Sequence, residues 1–419
     1  MDTILIRGGA SLKGTIPISG AKNATLPALA ATLLTSEKVH LSNIPHLADV
    51  TTMLELLGQH GAALTVDEKL GVEIDNKGIN NFCAPYDLVS TMRASILVMG
   101  PMLARYGQAE ISMPGGCAIG SRPVNLHIQG LRAMGADISL GDGYIRAKAK
   151  RLQGAKIYLE PVTVTGTENL LMAATLADGV TILENAAREP EVVDLANMLI
   201  SMGAKIQGAG SSTITIEGVE ELHGTKHSII PDRIETATFI IAAAITDGDI
   251  ILTNTQAEYL AVPIENFRQV GIDISLEGEG NMRVRGNGGL KAIDIQTSPY
   301  PGFPTDIQAQ MLVLNSVSDG ISTVTENIFE NRFMHVSELQ RLGADIKIQG
   351  NSVRVRGVDK LIGAPVMATD LRASASLVLA GLAAEGETLI SRVYHLDRGY
   401  ERIEEKLLAL GADIKRLSE

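Results

Sequence analysis

A short motif recurs six times along the chain at nearly even spacing. In each copy an apolar, helix-like stretch ends in a glycine followed by alanine or isoleucine, and consecutive marker glycines are 74, 68, 68, 72 and 68 residues apart. Spacing of this regularity indicates one supersecondary unit used six times. The six markers are Gly61-Ala62-Ala63, Gly135-Ala136-Asp137, Gly203-Ala204-Lys205, Gly271-Ile272-Asp273, Gly343-Ala344-Asp345 and Gly411-Ala412-Asp413.

The fourth copy shows what each unit should contain. Residues 234–246 are apolar and alanine-rich, which predicts a buried helix, and the β-branched residues 250–253 predict a strand. A second helix ends at Val270 with Gly271 as its C-cap, and residues 272–276 and 282–285 alternate as two strands. We therefore expect an α/β protein of six helix–strand–helix–strand–strand units, three in each of two domains.

Composition restricts the functional class. The 419 residues suggest two domains, and the net charge of −12 with 3% aromatic residues and no Trp argues against nucleic-acid binding. Two cysteines without paired spacing fit a reducing compartment. The N-terminus has no signal-peptide pattern, and no apolar run approaches the roughly 20 residues of a membrane span. We expect a soluble cytoplasmic protein.

Charged residues recur where the first helix of a unit begins. Lys22, Arg93, Asp306 and Arg372 occupy this slot in different copies. Helix stability does not explain a cation there, because the helix dipole disfavours positive charge at an N-terminus. A bound anion would resolve the conflict. For any single cation, the competing explanation is a surface ion pair.

A second set of cations precedes the second helix of a unit. Arg122, Arg188, Arg332 and Arg398 lie 13, 15, 11 and 13 residues before the marker glycines of their copies. If the copies pack symmetrically, these arginines meet in one cleft of an otherwise acidic protein.

Cys117 lies in the stretch in which the second copy differs most from the others, Pro114 to Pro123. Without context a lone cysteine is usually a small buried hydrophobe. Here the surrounding glycines allow an exposed loop, and Arg122 and His127 are near enough in sequence to stabilise a thiolate. Cys83 lacks such neighbours and is expected to be structural. The eight histidines show no metal-ligand spacing, and we expect neither a metal nor a cofactor.

Seven stretches resemble the enolpyruvyl transferases, in the family's order and across nearly the whole chain. Within that family they resemble the enzymes whose acceptor is UDP-N-acetylglucosamine, whereas the Asn-Ala-Gly-Thr segment of the sister enzyme acting on shikimate 3-phosphate is absent. The stretches are Ser19-Gly20-Ala21-Lys22-Asn23, Thr91-Met92-Arg93-Ala94-Ser95, residues 114–122, Gly302-Phe303-Pro304-Thr305-Asp306, Glu330-Asn331-Arg332-Phe333-Met334-His335, Thr369-Asp370-Leu371-Arg372-Ala373 and Asp397-Arg398-Gly399-Tyr400.

The resemblance implies a two-domain inside-out α/β barrel with helices inside, sheets outside and the active site in the cleft between domains. One domain would comprise residues 1–21 plus 230–419, with the first strand returning to the C-terminal half. The other would comprise residues 22–229 and carry the Cys117 loop.

The resemblance also implies a reaction. UDP-N-acetylglucosamine binds first and phosphoenolpyruvate second; the sugar 3-hydroxyl adds to C2 while C3 is protonated, and phosphate leaves from a tetrahedral ketal. This is the first committed step of peptidoglycan synthesis. The resemblance implies no nucleic-acid or membrane partner, and it leaves the oligomeric state open.

The implied roles fall on named residues. The catalytic group is Cys117, Asp306, Lys22, Asp370 and Arg398, with Asp306 as base and Cys117 as acid, site of the phospholactoyl adduct and target of fosfomycin. The implied phosphoenolpyruvate contacts are Lys22, Asn23, Arg122, Arg332, Arg372 and Arg398. The implied UDP-N-acetylglucosamine contacts are Asn23, Arg93, Arg122, Pro123, Val124, Asn125, Leu126, Asp306 and Ile328.

Two positions depart from the family pattern. Asn125 stands where Asp is usual, which would alter a uridine contact, and Pro161 stands where some members have Lys, so no cation is assigned there. Two alternatives remain open at this point: a catalytically silent paralogue that binds a nucleotide sugar, and an enolpyruvyl transferase of the shikimate pathway.

Overall fold

The computed structural model describes residues 2–68, 71–113 and 124–418. Their α-helices are α1 (Lys22–Ala31), α2 (Ala48–His60), α3 (Tyr86–Thr91), α4 (Met99–Tyr106), α5 (Asn125–Ala133), α6 (Val164–Ala174), α7 (Pro190–Ser201), α8 (Arg233–Ile245), α9 (Ala261–Val270), α10 (Gln308–Ser316), α11 (Val336–Arg341), α12 (Leu371–Ala383) and α13 (Ile403–Ala409). Short 3₁₀ helices span Thr32–Leu34, Arg93–Val98, Ala257–Leu260, Thr305–Ile307 and Val393–Arg398.

The strands of the described residues are short, none exceeding five residues. They are β1 (Thr3–Arg7), β2 (Lys13–Pro17), β3 (Val39–Ser42), β4 (Ala63–Val66), β5 (Val72–Asp75), β6 (Cys83–Ala84), β7 (Gln108–Ser112), β8 (Asp137–Gly141), β9 (Tyr144–Lys148), β10 (Lys156–Tyr158), β11 (Val180–Glu184), β12 (Lys205–Gln207), β13 (Thr213–Glu217), β14 (Lys226–Ser228), β15 (Asp249–Thr253), β16 (Asp273–Leu276), β17 (Met282–Arg285), β18 (Ile295–Gln296), β19 (Ile321–Thr325), β20 (Asp345–Gln349), β21 (Ser352–Arg356), β22 (Leu361–Ile362), β23 (Pro365–Met367), β24 (Ala384–Glu385), β25 (Glu387–Ser391) and β26 (Asp413–Leu417).

The described residues form two compact units. The N-terminal unit takes its residues from the range 20–230, and the C-terminal unit combines residues 2–19 with 231–418. Each unit has its own hydrophobic core, built from residues 21–229 in one and from residues 4–18 and 234–414 in the other.

Each unit contains three four-stranded sheets of one design. An edge strand runs parallel to a central strand, which pairs antiparallel with the second strand of a hairpin; in one sheet the order is β10-β11-β13-β12. The repeat is therefore strand–helix–strand–helix–strand–strand. The expected unit lacked the leading edge strand, because five of the six edge strands have only two or three residues, too few to show alternation.

Both ends of the repeat series are closed by strands distant in sequence. In the sixth sheet β1 takes the place of the hairpin strand, pairing Ile4 with Ile390 and Ile6 with Ile414. In the N-terminal unit β14 supplies the edge strand beside β3, and in the C-terminal unit β2 does so beside β15. The first strand thus belongs to the C-terminal half.

A recurring asparagine fastens the edge strand to the centre of its sheet. Asn43, Asn185 and Asn254 each follow a central strand with φ of 55°, a left-handed conformation that asparagine tolerates. Their side-chain amides donate to main-chain carbonyls of Ile229, Leu159 and Ile18, each at 2.7 Å.

The sheets lie outside and the first helices of the repeats lie inside. In α8 every residue except Ile245 is buried, and α12 is buried except at its two ends. The sheet strands alternate between buried and exposed side chains, as β13 does. Helices that are apolar on every side belong in a core, so the structure confirms the inside-out α/β architecture.

The six marker glycines have one structural role. All have positive φ, between 87° and 110°, where the second helix of a repeat ends. Glycine adopts this conformation without the steric cost of a Cβ. Among the described helices, none is long and apolar enough to cross a membrane.

Candidate functional site

Asp306 is the centre of a charge cluster in the C-terminal unit. Arg332 Nη2 donates to Asp306 Oδ1 at 3.0 Å, while Arg372 Nε and Nη2 both donate to Oδ2, at 3.2 and 3.1 Å. Both arginine side chains are almost fully buried, and that of Asp306 is 24% exposed. Three predicted site residues, 26 to 66 positions apart in sequence, therefore meet at one carboxylate.

Asp370 holds the start of the helix that carries Arg372. Its Oδ1 accepts from the main-chain N–H groups of Arg372 and Ala373, at 2.9 and 3.0 Å, which caps α12. The conflict of a cation at a helix N-terminus is thus resolved in part by two carboxylates: Asp370 satisfies the helix end and Asp306 balances the guanidinium.

The arginine cluster retains spare donors. Arg332 Nη1 and Arg372 Nη1 are buried and have no hydrogen-bond partner among the described residues, and neither does Thr369 Oγ1. Burial without a partner is costly for a charged donor. Two unpaired guanidinium edges beside one carboxylate suit a multivalent anion, since arginine binds carboxylate and phosphate in a bidentate manner.

His335 lies beside this cluster as a neutral group. Burial lowers the pKa of His335 to about 4. The negative charge of Asp370 acts to raise this pKa, and the positive charge of Arg332 acts to lower it. Both ring nitrogens are buried without a hydrogen-bond partner in the described residues. No role was predicted for His335, although the stretch beginning at Glu330 contains it.

The other predicted residues of the C-terminal unit lie apart from Asp306. Arg398 ends a 3₁₀ helix and is half-buried. Burial lowers the pKa of His395, and the positive charge of Arg398 lowers it further. Ile328 is partly exposed, and its N–H donates to Glu326 Oε1 at 2.8 Å.

Arg188, in the N-terminal unit, is exposed and donates to the carbonyl of Gly210 at 3.2 Å, so it is a surface residue rather than part of a cation cluster.

Lys22 is the main charged group predicted for the N-terminal unit. It begins α1, and its Nζ lies 2.7 Å from Asp49 Oδ2 in the first turn of α2. Both side chains are more than nine-tenths buried. A buried ion pair at a helix N-terminus repeats the arrangement of Arg372 and Asp306 in the other unit.

The remaining predictions in this unit fall partly on described residues. Asn23 and Arg93 are half-buried near helix starts, Asn125 is exposed at the start of α5, and Val124 and Leu126 flank it half-buried. The predictions for Cys117, Arg122 and Pro123, including the exposed loop around Cys117, lie outside the described residues.

His127 does not supply the positive charge suggested by the sequence. Burial lowers its pKa to about 4, so the imidazole is neutral at pH 7. Asn169 Nδ2 donates to its Nδ1 at 2.8 Å and Thr165 Oγ1 lies 3.5 Å from its Nε2. A neutral, hydrogen-bonded histidine packs helices and offers no positive charge to a thiolate, so the expectation was wrong for His127, while its Arg122 part lies outside the described residues.

Tyr400 is a second residue for which no role was predicted. It is buried, its ring lies under the Arg372 guanidinium with 5.4 Å from Cζ to the ring centroid, and its hydroxyl is hydrogen-bonded. The sequence signal that could have identified Tyr400 is its place in the stretch Asp397-Arg398-Gly399-Tyr400, which resembles the family.

In the described residues, no group of three or more His, Cys, Asp or Glu side chains could hold a metal ion.

Residues 6–407 match the family model of EPSP synthase (3-phosphoshikimate 1-carboxyvinyltransferase). The chain belongs to this enolpyruvyl transferase family. A UDP-N-acetylglucosamine 1-carboxyvinyltransferase from Magnetococcus marinus is 71% identical over 418 residues, and one from Halorhodospira halophila is 60% identical over 419; in both cases each chain is covered completely.

Solved structures agree with the family fold. The enolpyruvyl transferase NikO from Streptomyces tendae superposes with a TM-score of 0.90 at 26% identity, covering 100% of this chain and 99% of that one. The EPSP synthase from Acinetobacter baumannii gives a TM-score of 0.77 at 19% identity with both chains covered completely, which shows the shared fold alone.

Proposed function

We propose that this enolpyruvyl transferase moves the enolpyruvyl group of phosphoenolpyruvate to the 3-hydroxyl of UDP-N-acetylglucosamine and releases phosphate. The observation that carries the proposal is the 71% identity, over the full length of both chains, to an enzyme named for this transfer. The second relative, at 60%, has the same name. The shikimate enzyme of the family resembles this chain at only 19% in the structural comparison.

Phosphoenolpyruvate carries a phosphate and a carboxylate, and the cation cluster fits this charge. Arg332 and Arg372 each present one buried Nη1 that has no hydrogen-bond partner in the part of the chain that the structure describes. Arg122, Arg398, Lys22 and Asn23 complete the proposed set of contacts. When the anion binds, it shares the positive charge of the two guanidinium groups with Asp306. The weaker hold of the arginines on its carboxylate would make Asp306 more basic at the moment a base is required.

The proposed chemistry assigns proton transfers to two residues. Asp306 accepts the proton of the sugar 3-hydroxyl as that oxygen bonds to C2, and the Cys117 thiol protonates C3. C3 then loses a proton as the C–O bond to phosphate breaks, which restores the double bond. Cys117 also adds through sulfur to C2, with a proton going to C3, to give the phospholactoyl adduct. Asp370 orients the intermediate, and Lys22 and Arg398 stabilise its charge.

The nucleotide sugar is proposed to contact a separate set of residues. The exposed Asn125 lies among these contacts at the start of α5, and its amide in place of a carboxylate would donate to uridine where a carboxylate could only accept. The full proposed set is Asn23, Arg93, Arg122, Pro123, Val124, Asn125, Leu126, Asp306 and Ile328.

The product of this transfer is a precursor of peptidoglycan, which places the proposed enzyme at the first committed step of cell-wall synthesis in the cytoplasm. Cell shape and division would then depend on it. Fosfomycin, which mimics phosphoenolpyruvate, is proposed to alkylate Cys117.

The test is phosphate release from phosphoenolpyruvate with UDP-N-acetylglucosamine, repeated without each substrate and with Cys117→Ala. Release that requires both substrates and Cys117 supports the proposal. Shikimate 3-phosphate as acceptor is the control for the sister activity, and release with this acceptor alone would overturn the assignment. Calorimetric binding of the nucleotide sugar without turnover would indicate a silent binding protein instead.

A further inference from the structure

A buried polar network joins Tyr400 to two inner helices of the C-terminal unit. Its Oη lies 3.0 Å from Thr238 Oγ1 on α8 and accepts from Gln310 Nε2 on α10 at 2.9 Å. Thr238 Oγ1 donates to the carbonyl of Ile234 at 2.8 Å, so its single proton is used there. The Tyr400 hydroxyl can therefore donate to Thr238 while it accepts from Gln310.

The ring of Tyr400 supports Arg372 on the helix α12. The guanidinium carbon lies 5.4 Å from the ring centroid, within cation–π range. Nε and Nη2 of Arg372 donate to Asp306, and Nη1 is buried without a hydrogen bond of good geometry to any of the described residues. The Tyr400 hydroxyl also interacts with the Arg372 side chain. Asp306 and the Tyr400 ring thus fix the plane of the guanidinium, and Nη1 is the edge left for a ligand.

We propose that Tyr400 is a positioning residue for anion binding: it holds Arg372 so that Nη1 meets the phosphate or carboxylate of phosphoenolpyruvate. The inference rests on the proposed function. A free arginine side chain loses considerable rotamer entropy when it is ordered, and a guanidinium held in place before the ligand arrives avoids that cost on binding. Burial also raises the pKa of Tyr400, and the positive charge of Arg372 offsets this rise only in part, so the phenol stays neutral.

The hydroxyl and the ring have separable roles. Thr238, Gln310 and Tyr400 are each at most 2% exposed, so the network sets the tilt of the ring from behind. A phenylalanine at 400 keeps a ring beneath Arg372 but loses the hydrogen bonds that orient it. A leucine keeps apolar volume and removes the cation–π contact.

The experiment measures kcat and KM for each substrate in Tyr400→Leu and Tyr400→Phe. Tyr400→Leu is expected to raise the KM for phosphoenolpyruvate by about tenfold, which corresponds to a cation–π contact made in a desolvated site. The KM for UDP-N-acetylglucosamine should change less than about twofold, a difference too small to reflect a lost contact. Tyr400→Phe should fall between Tyr400→Leu and the unaltered chain.

Phe267→Leu is the matched control, because it removes another fully buried ring, on α9, from the same core. It should lower stability without a selective effect on phosphoenolpyruvate. A double variant completes the design: in an Arg372→Lys background, Tyr400→Leu should have little further effect, because Tyr400 acts through the guanidinium.

Two results would overturn the positioning role: equal changes in both KM values, or additive effects of the two substitutions. If the unaltered chain releases no phosphate, the proposed function fails separately. The same variants are then compared by calorimetric binding of phosphoenolpyruvate. A loss of affinity in Tyr400→Leu beyond that in Phe267→Leu supports the positioning role, and equal affinities overturn it.

Discussion

Asp306 accepts hydrogen bonds from two buried arginines, so a change at this carboxylate alters both the charge balance and the proposed chemistry. Asp306→Asn keeps the shape but removes the proposed base and the carboxylate that pairs with both Arg332 and Arg372. We expect phosphate release to fall by at least about 100-fold and the free energy of unfolding to fall by about 3 kcal/mol. Urea unfolding and a phosphate assay measure the two effects.

Asp249 offers the control for that substitution. It accepts from Arg283 Nε and Nη2 at 2.8 and 2.7 Å on the sheet surface, where solvent screens the pair. Asp249→Asn should leave phosphate release unchanged and affect stability little. If Asp306→Asn retained full turnover, Asp306 would not be the base.

The two cysteines should differ in reactivity towards fosfomycin. Burial, followed by the nearby Glu110 carboxylate, raises the pKa of the Cys83 thiol, and Cys83 is half-buried. Because the thiolate is the nucleophile, Cys83 should stay unmodified at pH 7. Mass spectrometry of the treated protein should show one adduct on Cys117 and none in Cys117→Ala. An adduct that persists in Cys117→Ala would contradict the assignment.

At the scale of elements, the sequence predicted what is locally encoded. The inner helices are apolar all round and the marker glycines end the second helices, so both appeared in the sequence pattern. Edge strands such as β18, with two residues, carry no periodicity and were missed. The Tyr400 network could not be predicted, because Thr238 lies 162 positions away and only the packing of helices brings the two together. Alignment of the repeats suggested the charged residues at the helix starts, including Lys22 and Arg372, and the arginines before the second helices, whereas the family resemblance supplied their roles.

Two glycines of the repeat should respond differently to substitution. A Cβ on Gly357, after β21, would lie 1.7 Å from the carbonyl oxygen of Ser318, which is main chain and cannot move aside easily. Gly271 has no atom within 4 Å of its Cβ position but has φ of 107°. We expect Gly357→Ala to lower the free energy of unfolding by about 3 kcal/mol and Gly271→Ala by about 1 kcal/mol. Urea unfolding would contradict this if Gly271→Ala were the more costly change.

At the scale of the whole molecule, both units bury neutral histidines. Burial lowers the pKa values of His60, His127 and His335 to about 4, from an ordinary value of 6.5. Between pH 6.5 and 4 the unfolded chain binds a proton at each of these positions and the folded chain does not. Stability therefore falls as the pH falls through this window. The buried Glu168 acts in the opposite direction, because burial and two nearby glutamates raise its pKa.

The variant His60→Gln isolates the contribution of His60 to the pH dependence of the free energy of unfolding. His60 Nδ1 donates to the carbonyl of Asn81 at 2.8 Å, and a glutamine amide can keep such a bond without titrating. The stability advantage of the unaltered chain over His60→Gln should shrink by about 2 kcal/mol from pH 6.5 to pH 5, since each pH unit corresponds to about 1.4 kcal/mol for one proton. Urea unfolding at both pH values measures it, with the exposed His46→Gln as control. Parallel pH curves for the unaltered chain and His60→Gln would show that His60 is not held neutral by burial.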